Sequence, residues 1–236
     1  MPQEKQHLSS QFDADLNLLS SKLLEMGGLV ESQIVNAMDA LNNYNETAIR
    51  HVATAERRVN EMEVEIDQQC NDIIARRQPA ARDLRLLMAV SKAITNLERA
   101  GDEAQKVAKR TQRIIDDGAG RAINTAEIRL SGEMAASILH NVLDAFARLD
   151  INAALQIVRD DKAIDSEFDA FVRKLATYMM EDPRTISVGL DYLFVAKAIE
   201  RIGDHAKNIA ELIIYIVKGT DVRHMPRETM EREALS

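Results

Sequence analysis

Glu98-Arg99-Ala100-Gly101-Asp102 and Glu200-Arg201-Ile202-Gly203-Asp204 are one phrase used twice, 102 residues apart. The match extends on both sides. Val35-Asn36-Ala37-Met38-Asp39-Ala40-Leu41 aligns with His140-Asn141-Val142-Leu143-Asp144-Ala145-Phe146 at an offset of 105. Val59-Asn60 aligns with Ile164-Asp165 at the same offset, and Pro79 with Pro183 at 104. A register this constant across half the chain marks an internal duplication, and a duplication of this length repeats a whole supersecondary unit.

The unit is helical, because apolar residues recur at intervals of three and four throughout. Phe12, Leu16, Leu19, Leu23, Met26, Val30, Ile34, Met38 and Leu41 mark a first helix. Val52, Val59, Met62, Ile66 and Ile73 mark a second, and a third runs from about Ala80 to Ile115. Pro79 fits the first turn of that third helix, where its missing N–H costs nothing. Asp116-Asp117-Gly118-Ala119-Gly120 reads as a stop and linker. The pattern then restarts. Met134, Ile138, Val142, Ala145 and Leu149 mark a fourth helix; Ile157, Ile164, Phe171 and Tyr178 a fifth. Pro183 opens a sixth, carrying Leu193, Ala196, Ile199, Ala210, Ile214 and Val217, which Gly219 ends. The expected organisation is all-α: two tandem three-helix bundles over 1–117 and 127–219, a linker over 118–126, and a charged, frayed tail over 220–236. Helices of this length span ~45 Å at 1.5 Å per residue, which favours long antiparallel bundles.

Composition agrees. Of 236 residues, 46% are hydrophobic but only 4% aromatic, with 9 Gly and 4 Pro. Such a core suits packed helices, and turn-rich β folds need more of both breakers. The net charge of −8 divides evenly between the halves. With no basic half, binding to nucleic acid through phosphate neutralisation is disfavoured. The single Cys70 can form no internal disulfide and reads as a small apolar core residue. The N-terminal stretch is polar, and the longest apolar run, Leu212 to Val217, is far below the ~18 residues that span a bilayer. A cytoplasmic protein without direct membrane insertion is expected, recruited to a membrane face only through partners.

Glu98 and Asp102 lie one turn apart on one helix face, as do Glu200 and Asp204. Both glutamates fall on an otherwise apolar seam, and the glycine beside each lets a neighbour approach closely. A carboxylate at a seam must be paired, protonated or bound to a cation. The second helix of each half supplies Asp161 and Asp165, and Glu56 and Asn60 at the matching positions. If second and third helices adjoin, four oxygen-bearing side chains converge, a set suited to Mg²⁺, Mn²⁺ or iron. The competing reading is an ion pair to another helix. A ferritin-type oxidase is disfavoured, since the only Glu-x-x-His spacing is Glu4 to His7 in the polar N-terminal arm. His51, His140 and His224 read as ordinary surface or core residues. Phosphate-loop, G-x-S-x-G and H-E-x-x-H patterns are missing, so a non-enzymatic role is expected.

The stretch Glu200-Arg201-Ile202-Gly203-Asp204-His205-Ala206-Lys207-Asn208-Ile209-Ala210-Glu211 resembles the signature of the PhoU family. Arg76 to Arg85 and Lys218-Gly219-Thr220-Asp221-Val222-Arg223-His224 are similar to two further segments of that family. The likeness runs over essentially the whole chain. It implies two three-helix bundles related by a pseudo-twofold. It also implies metal sites, multinuclear iron or zinc among them, built on an acidic residue, three residues and Asp: here Glu98/Asp102, Asp161/Asp165 and Glu200/Asp204. Glu56/Asn60 departs from that motif, and Ala100 stands where the second half has Ile202, so the resemblance implies weaker metal binding in the first half. It further implies a homodimer that restrains the phosphate-starvation response by linking a phosphate ABC transporter ATPase to a sensor histidine kinase. The alternatives are a metal-binding or storage protein with no primary signalling role, and a plain helical scaffold.

Overall fold

The computed structural model describes residues 10–118 and 123–235. Residues 119–122 of the expected linker, and Glu4 and His7, lie outside them. Six long helices follow in order: α1 (Ser10–Asn43), α2 (Glu46–Arg77), α3 (Ala81–Asp117), α4 (Ala126–Arg148), α5 (Ile151–Glu181) and α6 (Ile186–Lys218). One turn of 3₁₀ helix, Pro183–Thr185, leads into α6, and a short α7 (Arg227–Leu235) follows it. No helix among the described residues is long and apolar enough to cross a membrane.

The duplication is visible in the turns. The α1–α2 and α4–α5 connections each place one residue in the left-handed region, Tyr44 at φ 52° and Leu149 at φ 50°. The next residue in each caps the following helix. Asn45 Oδ1 accepts from the amides of Thr47 (3.0 Å) and Ala48 (3.3 Å), and Asp150 accepts from that of Ala153 at 3.1 Å. These bonds satisfy donors that a helix start leaves orphaned. Gly118 and Gly219 end α3 and α6 at positive φ, as the sequence pattern predicts.

Within each half every helix packs on the other two, and the halves then share one continuous apolar core. Their contact is widest between α3 and α6, with α1 against α4 beside it. Two glycines in the same register open the α1–α4 crossing. A Cβ on Gly27 would stand 2.3 Å from Leu143 Cδ2, and one on Gly132 would stand 2.3 Å from Met38 Cε. Met38 and Leu143 are themselves repeat equivalents, so the crossing carries a pseudo-twofold between the halves.

Two sequence expectations need correcting. Pro79 lies ahead of α3: Ala80 is the capping residue and Ala81 the first helical one. The frayed tail is instead ordered as α7, which buries Met230 and Ala234 against α5 and α6. Arg159 Nε bonds Glu231 at 3.0 Å and ties α7 to α5. Nine residues with two buried contacts are too few to show a hydrophobic period.

Candidate metal centre

Packing of α2 on α3 brings Glu56, Glu98 and Asp102 together. Each offers a carboxylate oxygen, and these oxygens lie within 4.8 Å of one another. Among the described residues this is the one such acidic grouping. Glu56 is buried, at 4% exposure, while Glu98 and Asp102 are half-buried at the groove mouth. The fully buried Gln33, reaching in from α1, donates through Nε2 to Glu56 Oε2 at 2.8 Å. Gly101 makes room for this arrangement. A Cβ there would stand 2.7 Å from Gln33 Oε1 and 3.4 Å from Glu56 Oε2.

The electrostatics match the crowding. Burial pushes the Glu56 carboxyl above its ordinary pKa, opposed by the Gln33 hydrogen bond and aided by the Asp102 charge. Glu98 is raised by burial and then by the charges of Asp102, Glu63 and Glu56. Among the described residues no lysine or arginine forms a salt bridge to any of the three. Asn60 is exposed and turns back on its own helix, its amide donating to Glu56 Oε1 at 3.3 Å.

Further along the groove, Thr95 Oγ1 donates to Glu63 Oε1 at 3.0 Å, and Ser91 Oγ donates to Asp67 Oδ1 at 2.6 Å. Glu63 and Asp67 were not singled out from the sequence. Their spacing of seven and eleven residues from Glu56 was the available signal, since it keeps all three on the face of α2 that meets α3.

The second half has the same backbone and a different charge balance. Asp161 is buried at 2% exposure, but Lys207 Nζ lies 3.0 Å from its Oδ2 and 3.6 Å from Asp204 Oδ1. Lys197 Nζ sits 2.7 Å from Glu200. Asp165 is exposed, so the structure does not bring it together with the other three. Burial raises the Asp161 pKa even against its bond to Lys207. Burial pulls the Lys207 ammonium down, but the bond to Asp161 and the charges of Asp161, Asp204 and Glu211 hold it above its ordinary value.

Between the halves, Asp102 and Asp204 line one cavity of about 500 Å³ across the α3–α6 interface. Buried Glu103 anchors it, bonded to Lys106 at 2.9 Å and to Arg201 of α6 at 3.2 Å. Asn96 Oδ1 accepts from Asn208 Nδ2 at 3.1 Å and lies 3.2 Å from His205 Nδ1. The arginine after the second-half glutamate thus bridges to Glu103 on α3, whereas the ion-pair alternative concerned the seam glutamates themselves.

The PhoU domain family profile matches residues 23–111 and 128–213, one copy on each three-helix half. The chain belongs to the PhoU family. A PhoU homolog from Burkholderia sp, termed a phosphate-specific transport system accessory protein, is 57% identical over 230 residues, covering 97% of this chain and 98% of that one. The Escherichia coli (strain K12) protein of the same description is 44% identical over 226 residues, covering 96% and 93%. The crystal structure of PhoU from Pseudomonas aeruginosa superposes with a TM-score of 0.86 at 45% identity, over 89% of this chain and all of that one. PhoU from Streptococcus pneumoniae, described as a phosphate transport system regulatory protein, gives 0.82 at 25% identity, over 89% and 99%.

The PhoU resemblance implies metal, and the first-half residues fit one. All the donors are oxygen, as hard cations require. The cluster has no internal counter-cation among the described residues. Beside it, the carbonyl oxygen of buried Gln33 accepts no hydrogen bond. Glu56, Glu98 and Asp102 are the residues that would hold the ion, which would supply the positive charge that this carboxylate set lacks.

Proposed function

We propose that this chain is a non-enzymatic regulator of phosphate uptake and a negative regulator of the phosphate-starvation response. Its partners in this reading are the ATPase of a high-affinity phosphate ABC transporter and a phosphate-sensing histidine kinase, which it holds in the phosphatase state when phosphate is plentiful. The observation that carries the reading is the end-to-end match to relatives described as phosphate-specific transport system accessory proteins. Both halves take part in that match, so the whole two-bundle body is the functional unit. Its long helix faces, rather than a reaction cleft, would be the surfaces offered to partners, with homodimerisation a further expectation of the reading.

Deleting the gene is expected to raise alkaline phosphatase activity in phosphate-rich medium. An unchanged level in a strain with no second copy would refute the reading.

The acidic groove between α2 and α3 favours a second reading, in which metal binding at Glu56, Glu98 and Asp102 is the primary role and signalling is secondary. Complementation separates the two. Restored phosphatase control by E98Q/D102N would favour signalling without metal. Lost control together with lost metal would tie them into one mechanism.

A further inference from the structure

The repeat allows the two halves to be compared position by position around their carboxylates. Glu98 and Asp102 correspond to Glu200 and Asp204, and Glu56 to Asp161. The lysines that neutralise the second set have neutral counterparts in the first. Lys207 falls on Gln105 and Lys197 on Thr95, both at the offset of 102 that relates α6 to α3. Thr95 turns to Glu63, and Gln105 pairs with Lys109 on its own helix. Neither counterpart bonds Glu56, Glu98 or Asp102.

We propose that the halves carry different cations: the first binds a hard metal ion at Glu56, Glu98 and Asp102, whereas in the second Lys207 and Lys197 are built-in cations that exclude metal. This rests on the metal-binding reading of the first half. The geometry supports the exclusion directly. Lys207 Nζ spans Asp161 and Asp204 at 3.0 and 3.6 Å, so an ammonium already sits on the carboxylates that would hold a metal. Lys197 holds Glu200 at 2.7 Å, reaching it from one turn earlier on α6. A metal entering the second half must displace both ammonium groups. At a few ångströms in a partly buried site, each of these groups repels an incoming cation strongly. The two lysines give an acidic motif that looks like a ligand set counter-cations of its own, with Glu200 Oε2 left as the one buried oxygen of that set without a hydrogen-bond partner. The same motif in the first half receives no salt bridge among the described residues, and Arg99 acts on Glu98 only through its field.

Mn²⁺ is a suitable probe, because free Mn²⁺ is counted by EPR after equilibrium dialysis against the full chain. The wild type is expected to bind Mn²⁺, and E98Q/D102N, with its second half untouched, to lose that binding by at least ~100-fold. Adding K207Q and K197T to E98Q/D102N is expected to create binding at the second half, at least ~100-fold tighter than in E98Q/D102N alone, whereas K207R should create none. Strong Mn²⁺ binding that survives in E98Q/D102N would overturn the inference while leaving metal binding by the chain intact. So would a lysine-free variant that stays folded by circular dichroism but gains no binding. If the wild type binds no Mn²⁺, both the metal reading and the inference built on it fall. Should loss of Lys207 unfold the chain, the comparison of wild type with E98Q/D102N decides alone, since it leaves that lysine in place.

Discussion

Adjacent glycines on α1 give a test of how the halves dock. Gly28 is exposed, and a Cβ there meets nothing within 4 Å; Gly27 is buried, and a Cβ there would lie 2.3 and 2.8 Å from the two methyls of Leu143 on α4. Alanine in a helix interior is favoured over glycine by about 1 kcal/mol, and both substitutions collect that gain. Gly28→Ala is therefore expected to stabilise the chain by about 1 kcal/mol. Gly27→Ala collects the same gain but forces Leu143, itself largely buried, away from α1. Overpacking of this kind costs about 1–3 kcal/mol, so Gly27→Ala should lie about 1–3 kcal/mol below Gly28→Ala. Urea denaturation midpoints at unchanged slope read the difference. Trimming the partner in Gly27→Ala/Leu143→Ala should recover part of the loss, as a coupling of about 1 kcal/mol in a double-mutant cycle. Gly132→Ala is expected to cost less than Gly27→Ala, because the atoms in its way end the flexible Met38 side chain. Equal stability of Gly27→Ala and Gly28→Ala would mean that α1 and α4 do not cross where described.

Glu211 is pushed up to about 7 by burial, in spite of Lys207 and Arg223. A carboxyl raised in the folded state contributes stability that is complete below its unfolded pKa near 4.5 and is lost as pH rises through 7. Glu211→Gln should thus gain about 2–3 kcal/mol over wild type at pH 8 and little at pH 4.5; a pH-independent difference in urea midpoints would contradict this. Asn45→Ala and Asp150→Ala should each cost about 1 kcal/mol, read from thermal melts, since each removes one helix cap. Lys207→Gln leaves the Asp161 charge buried without its ion pair, at about 3–5 kcal/mol, and Asp161→Asn/Lys207→Gln should regain most of that. No recovery in the double variant would mean that the lysine stabilises the fold through its stem and not through its charge.

The repeat, the helix period and the glycine stops were readable from sequence because each depends on local spacing. The convergence of Glu56 with Glu98 and Asp102 was readable too, given one assumption: that the second and third helices of a half adjoin. The lysine network was not. Lys207 and Lys197 lie three residues from Asp204 and Glu200, a spacing common on any solvated helix, and only the placement of α5 shows that Lys207 reaches Asp161. The surroundings of Asn60 were not readable for a related reason. Its amide bonds Glu56 on its own helix, and the lysines that set the halves apart lie three residues from Glu200 and Asp204 on α6. The Glu103–Arg201 bridge joins side chains 98 residues apart, and the repeat, which relates positions across that distance, does not say which of them touch.

Steric and electrostatic requirements leave different marks on a duplicated chain. Where a side chain presses on a neighbouring helix or a helix start needs an acceptor, the halves agree: Gly27 with Gly132, Gly101 with Gly203, and a side-chain cap at both Asn45 and Asp150. A close crossing admits little beyond glycine, and an orphaned amide admits few acceptors, so either half loses stability on departing from them. Excess negative charge has several remedies. A proton, a metal ion or a lysine each neutralises a carboxylate, and each fits on the same backbone. The halves differ at these positions, Gln105 against Lys207 and Thr95 against Lys197, and also where α1 corresponds to α4, the register setting Gln33 against Ile138. Gln33 anchors Glu56 by a hydrogen bond that isoleucine cannot make. The first half has therefore kept a buried polar support for a carboxylate cluster that receives no salt bridge among the described residues, and the second sets Ile164 and Asp161 against its glycine, with lysines on its carboxylates. A fold that tolerates both states in one chain separates the scaffold, which both halves must build alike, from the charge balance, which each can set for itself.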